Sequence, residues 1–240
     1  MSLHSHKNRE WLEADGLGGF ASGTVSTIRT RRYHGLLLVA TTPPTGRMML
    51  VNGFDAWVET KQGAFTLSSQ QYLPDVIHPD NGCEIESFTT EPWPTWVFRV
   101  KDGTRIRQEI CTLKGSSVVT VSWRIEGDAK DATLCVRPFF SGRDYHSLHH
   151  ENPAFRFDPQ NDGRRLTWRP YDGVPSITSL SNGDYRHQPY WYRGFLYDEE
   201  KHRGLDHAED LAAPGIIQWD LAKGEAVWAL MTCSEFRFNH

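Results

Sequence analysis

This sequence predicts an all-β fold of two large sheets packed face to face, and three observations carry the prediction. Apolar residues recur with a period of two rather than 3.6. Glycine, proline, asparagine and aspartate punctuate the whole chain, with 20 Gly and 13 Pro among 240 residues, so turns come at close intervals. Helical patterning is confined to one short stretch. Many short strands with closely spaced turns leave few edges open when they form two facing sheets. A chain of this length can bury roughly 70 to 75% of its unfolded surface, and no repeat or linker divides it. One domain over residues 1–240 is therefore expected.

The elements follow in order. Gly16-Leu17-Gly18-Gly19-Phe20-Ala21 satisfies the G-x-G-x-x-A pattern of dinucleotide-binding turns, but the β-branched and glycine-containing Ser22 to Ile28 follows instead of a helix. A glycine-rich turn entering a strand fits better. Thr30-Arg31-Arg32-Tyr33-His34-Gly35 runs into the apolar Leu36-Leu37-Leu38-Val39, which reads as a buried strand with polar side chains at its mouth. Gly35 would let another group approach the backbone closely. Trp96, Phe98 and Val100 alternate with Val97, Arg99 and Lys101, then Ile106 and Ile110 with Arg105 and Arg107. The intervening Asp102-Gly103 predicts a hairpin with a primed turn. Val119 to Ile125 alternates cleanly and ends at Gly127-Asp128. Further strands are expected at Leu134 to Phe139, Arg165 to Arg169, Gly194 to Tyr197, Ile216 to Leu221 and Val227 to Thr232, the last two joined by a turn at Lys223-Gly224. Asp198 to Arg203 predicts one or two helical turns, closed by Gly204 in the left-handed conformation.

Composition excludes several classes of function. A formal net charge of -4 with interspersed signs offers no basic stripe for phosphates, which argues against nucleic acid as the main partner. No apolar run approaches the length of a membrane span. Cys83, Cys111, Cys135 and Cys233 are far apart, none forms a C-x-x-C pair, and no apolar signal segment precedes Trp11, so a reducing cytoplasm is the simpler location. The nine Trp can fill a sandwich core or stack on sugar rings.

Charge and imidazole at the mouth of a buried strand are costly unless paired or bound to something, so function is sought there. Arg32, Tyr33 and His34 form the first such cluster. Arg143, Asp144, Tyr145 and His146 repeat its chemistry after the strand at Leu134, with Arg143 able to grip a carboxylate by both prongs of its guanidinium. A third cluster, Arg203, Asp206, Glu209 and Asp210, follows the aromatic run Tyr190-Trp191-Tyr192. Aromatic rings beside acids and an Arg suit a sugar, although solvated loop charges read equally well. His146, His149 and His150 have a metal-like spacing, but Asn152-Pro153 would end a helix there and the pattern is not H-E-x-x-H, so no metal is expected.

These motifs resemble one family. Glu10-Trp11-Leu12, Gly16 to Thr24, Thr30 to Leu37, Arg143 to His146, and Arg203 to Asp206 with Glu209 to Leu211 are similar to the N-terminal region of bacterial and archaeal glycogen-debranching enzymes, the amylo-α-1,6-glucosidases. The resemblance implies a β-supersandwich of the galactose-mutarotase-like type that precedes a helical (α/α) barrel, with the cleaving carboxylates in that helical domain. The sequence ends at His240 without a helical half, so a fragment or a lone domain is expected.

Glycoside hydrolysis needs two carboxylates across the scissile bond, about 5 to 9.5 Å apart. Glu199-Glu200 and Glu209-Asp210 are adjacent pairs on expected loops, which do not meet that need. The favoured role is therefore a non-catalytic domain, without a cofactor, that shapes an α-glucan cleft or docks a C-terminal catalytic domain. The residues expected to do this are Arg32, Tyr33, His34, Arg143, Asp144, Tyr145, His146, Trp191, Arg203, Asp206, Glu209 and Asp210. Two alternatives stay open. One is a free-standing glucan-binding module using Trp191 or Tyr192. The other is a mutarotase-like isomerase in which His34 or His146 pairs with an acid such as Glu209.

Overall fold

The computed structural model describes residues 8–42, 46–79, 83–127 and 131–232. Strands β1 (Glu10–Ala14), β2 (Phe20–Thr24), β3 (Gly35–Thr42) and β4 (Gly46–Thr60) form an antiparallel meander, and β5 (Gly63–Thr66) folds back on β4. β6 (Gln70–Tyr72) and β7 (Val76–His78) make a small hairpin. A second meander follows in β8 (Cys83–Thr89), β9 (Thr95–Val100), β10 (Arg105–Thr112) and β11 (Val118–Glu126). Next come β12 (Ala132–Asp144), β13 (Gln160–Asp162), β14 (Arg165–Trp168), β15 (Ile177–Ser181) and β16 (Asp184–Leu196). Helix α1 (Asp198–His202), β17 (Ala208–Asp220) and β18 (Ala226–Met231) complete the described chain.

The strands form two antiparallel sheets that make a sandwich, as the period-two pattern predicts. The first runs β1-β2-β3-β4-β12-β17-β16-β6-β7, with β5 paired to β4, and the second runs β13-β14-β15-β18-β11-β10-β9-β8. Six of the nine Trp (11, 96, 123, 168, 219 and 228) are buried in the core between the sheets. The core reading of these tryptophans therefore holds. Five of these six indole N–H groups are hydrogen-bonded among the described residues, all but that of Trp168: Trp96 donates to the Val25 carbonyl at 2.9 Å and Trp123 to Gln108 Oε1 at 2.8 Å.

The outer faces differ. That of the second sheet is laced with ion pairs such as Arg99–Glu84 at 2.7 Å, Arg105–Glu86 at 2.6 Å and Arg107–Glu126 at 2.5 Å. That of the first carries a second apolar cluster of Phe139, Phe195, Leu211 and Ala213. A face that keeps charges in register suits water, whereas a face that hides aromatic rings suits covering.

Several expectations are confirmed locally. The Gly16–Gly19 segment is the turn between β1 and β2, where Asp15 Oδ1 accepts the N–H groups of Leu17 at 2.7 Å and Gly19 at 2.9 Å. Gly16 and Gly18 lie at φ +82° and +100°. Helix α1 ends as predicted. Gly204 is left-handed at φ +69°, its N–H donates to the Lys201 carbonyl, and the Leu205 N–H donates to that of Glu200, both at 3.0 Å. The close approach at Gly35 is also real, because a Cβ there would collide with the Sδ and Cε atoms of Met49.

Other expectations are corrected. The β9–β10 connection is not a primed turn: only Gly103 has positive φ (+83°), its N–H reaches the Val100 carbonyl at 2.9 Å, and Val100 N–H reaches Thr104 O at 3.0 Å. That is a three-residue loop with a bulge glycine. β17 and β18 are joined near Lys223-Gly224 but lie in different sheets, so the connection is a crossover. Glu209 and Asp210 are on strand β17 and Glu200 is on helix α1, not on loops. The single strands expected at Leu134, Gly194 and Ile216 are parts of β12, β16 and β17, each 13 residues long. Asp128 and Cys233 lie outside the described residues. Cys83, Cys111 and Cys135 are free thiols, and burial pushes Cys83 up to about 12 and Cys135 up to about 11.

Candidate functional site

The three polar clusters converge. Arg143 sits where β12 bulges against β4, and its Nη2 donates to the Arg32 carbonyl at 2.7 Å. Its Nη1 donates to the carbonyls of Asp144 and Tyr145, each at 3.2 Å, and its Nε meets Glu209 Oε2 at 2.8 Å. One guanidinium thus ties the 30–34 segment, the end of β12 and the start of β17 together. Arg32 does the same from the other side. Its Nη1 donates to the His146 carbonyl at 2.7 Å and its Nη2 to the Asp206 carbonyl at 2.8 Å, with Glu200 Oε1 at 3.7 Å from its Nε.

Glu209 is the fully buried centre of this end. It accepts from Arg143, from Asn52 Nδ2 at 2.9 Å, from the His149 N–H at 3.1 Å and from the Tyr197 hydroxyl. With both oxygens occupied by these donors, the buried carboxylate is committed to the fold and out of reach of a substrate. Burial raises the Tyr197 hydroxyl above its ordinary value, so it remains a donor.

His34 is equally committed. Its Nδ1 accepts the N–H groups of Thr30 at 3.1 Å and Arg31 at 3.3 Å, which leaves the proton on Nε2, 3.3 Å from Glu10 Oε1. Arg31 Nε also reaches Glu10 at 2.6 Å. The hydrogen bond from His34 is the largest of the effects that hold the Glu10 carboxyl at about 2, opposed by partial burial and aided by Arg31. His146 pairs through Nδ1 with the Tyr33 hydroxyl at 3.1 Å. Neither histidine is among the partners of Glu209; the acid His34 meets is Glu10, itself held by Arg31, and both ring nitrogens of His34 are engaged within the fold, so the isomerase alternative is not favoured.

The remaining residues take varied places. Tyr33, Tyr145 and His146 form an accessible ring cluster, with Tyr145 and His146 centroids 3.9 Å apart and Arg47 5.5 Å from the Tyr145 ring. Asp144 Oδ1 caps the His146 N–H at 2.8 Å. Asp210 accepts the N–H groups of Gly194 at 2.9 Å and Glu151 at 3.1 Å, a turn-fixing role. Asp206 contributes its carbonyl, and Arg203 is the exposed residue closing α1. Trp191 is not at the polar surface: it packs on His149, Phe155 and Phe157 at the margin of the core. His149 donates through Nδ1 to the Asp210 carbonyl at 2.9 Å and accepts the Tyr171 hydroxyl at 2.6 Å through Nε2, while burial lowers its basicity. His146 thus turns to Tyr33, whereas His149 and His150 both meet Asp210, the one at its carbonyl and the other 3.8 Å from its carboxylate. Among the described residues no group of three or more His, Cys, Asp or Glu side chains is placed to hold a metal ion.

The sequence reading missed Glu10, Asn52, Tyr197 and Glu200 as members of the network. Two of them carried a signal: Glu200 through its place in an acidic helix start three positions before Arg203, and Glu10 through the Glu10-Trp11-Leu12 motif.

A family model described as the N-terminal region of glycogen debranching enzyme matches residues 9–228. The chain belongs to this family. The match runs from just before β1 into β18, so it spans both sheets of this debranching-enzyme N-terminal domain. No curated protein matches the chain. Among solved structures, a bacterial glucoamylase complexed with acarbose is similar at 14% identity and a TM-score of 0.48, over 96% of this chain and 32% of that one. A protein assigned as a kojibiose phosphorylase, from the human microbiome, is similar at 11% identity and a TM-score of 0.36, over 91% of this chain and 29% of that one. The domain spans about a third of the length of each. No helix among the described residues is long and apolar enough to cross a membrane.

Proposed function

We propose that this domain is the non-catalytic β half of a glycogen-debranching α-1,6-glucosidase, and that its polar end faces the α-glucan cleft of a helical catalytic domain. One observation carries the reading. Two carboxylates at this end, Glu209 and Glu200, are fully buried and engaged by Arg143 and Arg32, which suits bracing a surface and not cleaving a bond. What they brace is accessible: the Tyr33, Tyr145 and His146 rings, held in fixed positions at the mouth of β3. Rings of this kind pack on sugar C–H faces or fill an interface with a neighbouring domain. The free thiols of Cys83, Cys111 and Cys135 support a reducing cytoplasm as the place of work.

The test joins the domain to the helical catalytic domain of a family relative and follows glucose released from a branched oligosaccharide. The 240-residue chain alone releases none. In the joined enzyme, Tyr33→Ala with His146→Ala lowers kcat/KM by about tenfold or more, which is about 1.4 kcal/mol of transition-state stabilisation. Hydrolysis by the chain alone, or an unchanged joined enzyme, overturns the proposal.

A further inference from the structure

We propose that the outer face of the first sheet carries a second α-glucan contact, a strip formed by Trp57, Tyr192 and Tyr190 around Arg137, away from the polar end. This rests on the reading that the domain serves an α-glucan hydrolase.

Strand alternation places these side chains together. Ala56 and Val58 belong to the core between the sheets, so Asp55, Trp57 and Glu59 face away from it. Leu134 and Val136 are core residues, which turns Cys135 and Arg137 outward. Trp191 packs inward, and its neighbours Tyr190 and Tyr192 therefore face out. Arg137 is directly opposite Asp55 in the β12–β4 register. Its guanidinium lies 5.1 Å from the Trp57 ring centroid and 5.2 Å from that of Tyr192, so one cation clamps two rings. Tyr192 rests edge-on against Phe139 at 5.2 Å, and Tyr190 continues the row at 5.4 Å from Tyr192 with 59% of its surface exposed. Arg143 is six positions beyond Arg137 along β12, at most about 20 Å at the rise of a strand.

The chemistry selects the occupant. Rings that are pinned before binding lose little side-chain freedom on contact, and their faces suit the C–H faces of pyranose rings. The strip's cation is opposed by Asp55 at 3.9 Å, and Glu59 accepts the Trp57 indole N–H at 3.0 Å. Acids within the strip disfavour a polyanion, while a neutral polyol finds acceptors there for its hydroxyls. A branched glucan could thus touch the domain at two places, which raises its effective concentration at a cleft without any new catalytic group.

The experiment is affinity electrophoresis of the full 240-residue chain in gels containing soluble glycogen, with heparin gels as the anionic comparison. Glycogen retards the wild type and heparin does not. Trp57→Ala and Tyr192→Ala each weaken retardation at least tenfold, as does Tyr190→Ala, whose exposed ring can be lost without unfolding the sheet. Leu113→Ala, an exposed side chain between β10 and β11 in the other sheet, leaves the retardation unchanged. No retardation of the wild type, full retardation of the strip variants, equal retardation by heparin, or loss on Leu113→Ala overturns the inference. So does loss of glycogen binding when the helical domain is attached, which makes the strip an interface with that domain. Hydrolysis by the joined enzyme is read separately, so failure of the strip and failure of the proposed function are distinguishable.

Discussion

Arg143 and Glu209 meet at 2.8 Å with 4% and 0% of their side chains exposed, an ion pair removed from water at the point where three segments of the chain join. Breaking such a pair on one side leaves an uncompensated charge in the interior. Glu209→Gln preserves shape and most hydrogen bonds but strands the guanidinium, and is expected to cost about 3 to 5 kcal/mol. Denaturant unfolding checks this through a lowered midpoint at unchanged slope. A loss under about 1 kcal/mol would give the pair the weight of a surface contact.

Glu10 makes the domain acid-sensitive. Its folded carboxyl lies at about 2 against an ordinary 4.5, so the unfolded chain binds a proton first as pH falls. The stability it contributes is complete above about pH 4.5 and is lost between there and about pH 2. Glu10→Gln should flatten that part of a stability-against-pH curve and leave its neutral part parallel to the wild type. An unchanged acid limb would place the sensitivity elsewhere.

Asp55 has the opposite sign. Burial pushes its carboxyl up to about 6 from 3.8, with the Gln70 hydrogen bond and Arg137 only partly opposing. The folded state holds this proton more tightly than the unfolded chain, so its contribution falls as pH rises from about 3.8 to about 6. Asp55→Asn should remove that downward slope, measured by thermal or denaturant unfolding across the same interval. A slope that persists in the variant would contradict this assignment.

Gly19 and Gly35 are both crowded, yet they differ in what crowds them. At Gly35 the obstacle is the end of the Met49 side chain, which can turn aside, whereas at Gly19 a Cβ would stand 2.6 Å from the Leu38 carbonyl oxygen. Gly35→Ala should cost about 1 to 3 kcal/mol and be partly rescued by trimming Met49 to Ala. Gly19→Ala should cost more, with no side-chain rescue. Equal costs would mean that the backbone at β3 yields as easily as a thioether.

Trp191 tests the difference between a core residue and a sugar platform. Its contacts with His149, Phe155 and Phe157 predict that Trp191→Ala destabilises the fold by about 3 kcal/mol or more. Unfolding at a lower denaturant midpoint is the expected readout, and unaltered stability would return Trp191 to the surface role.

The sequence made the sandwich legible because alternation in β9, β10 and β11 is clean and turn residues stand between them. It concealed the long strands of the first sheet for physical reasons. β4 is buried on both faces along part of its length and carries Asn52, Gly53 and Asp55 within it, which read as loop residues. Prolines sit inside β12, β16 and β17 where pairing slips, Pro138 between the registered Val136 and Phe140 and Pro189 between His187 and Tyr190. The three polar clusters were legible as clusters, and the structure brings them to one place. That Glu209 and His34 are spent internally could not be read from spacing, since their partners Asn52, Tyr197 and Glu10 lie 157, 12 and 24 positions away with no shared motif. Trp191 and Tyr192 adjoin in sequence, but a strand sends neighbours to opposite sides, one to the core and one outward.

Arg32 grips the main-chain oxygens of His146 and Asp206 and leaves their side chains alone. A clamp of this kind is indifferent to which residues occupy those two positions. The path of the rim can thus be inherited unchanged while the groups displayed on it drift, so that diversification at 146 and 206 would carry little penalty in folding.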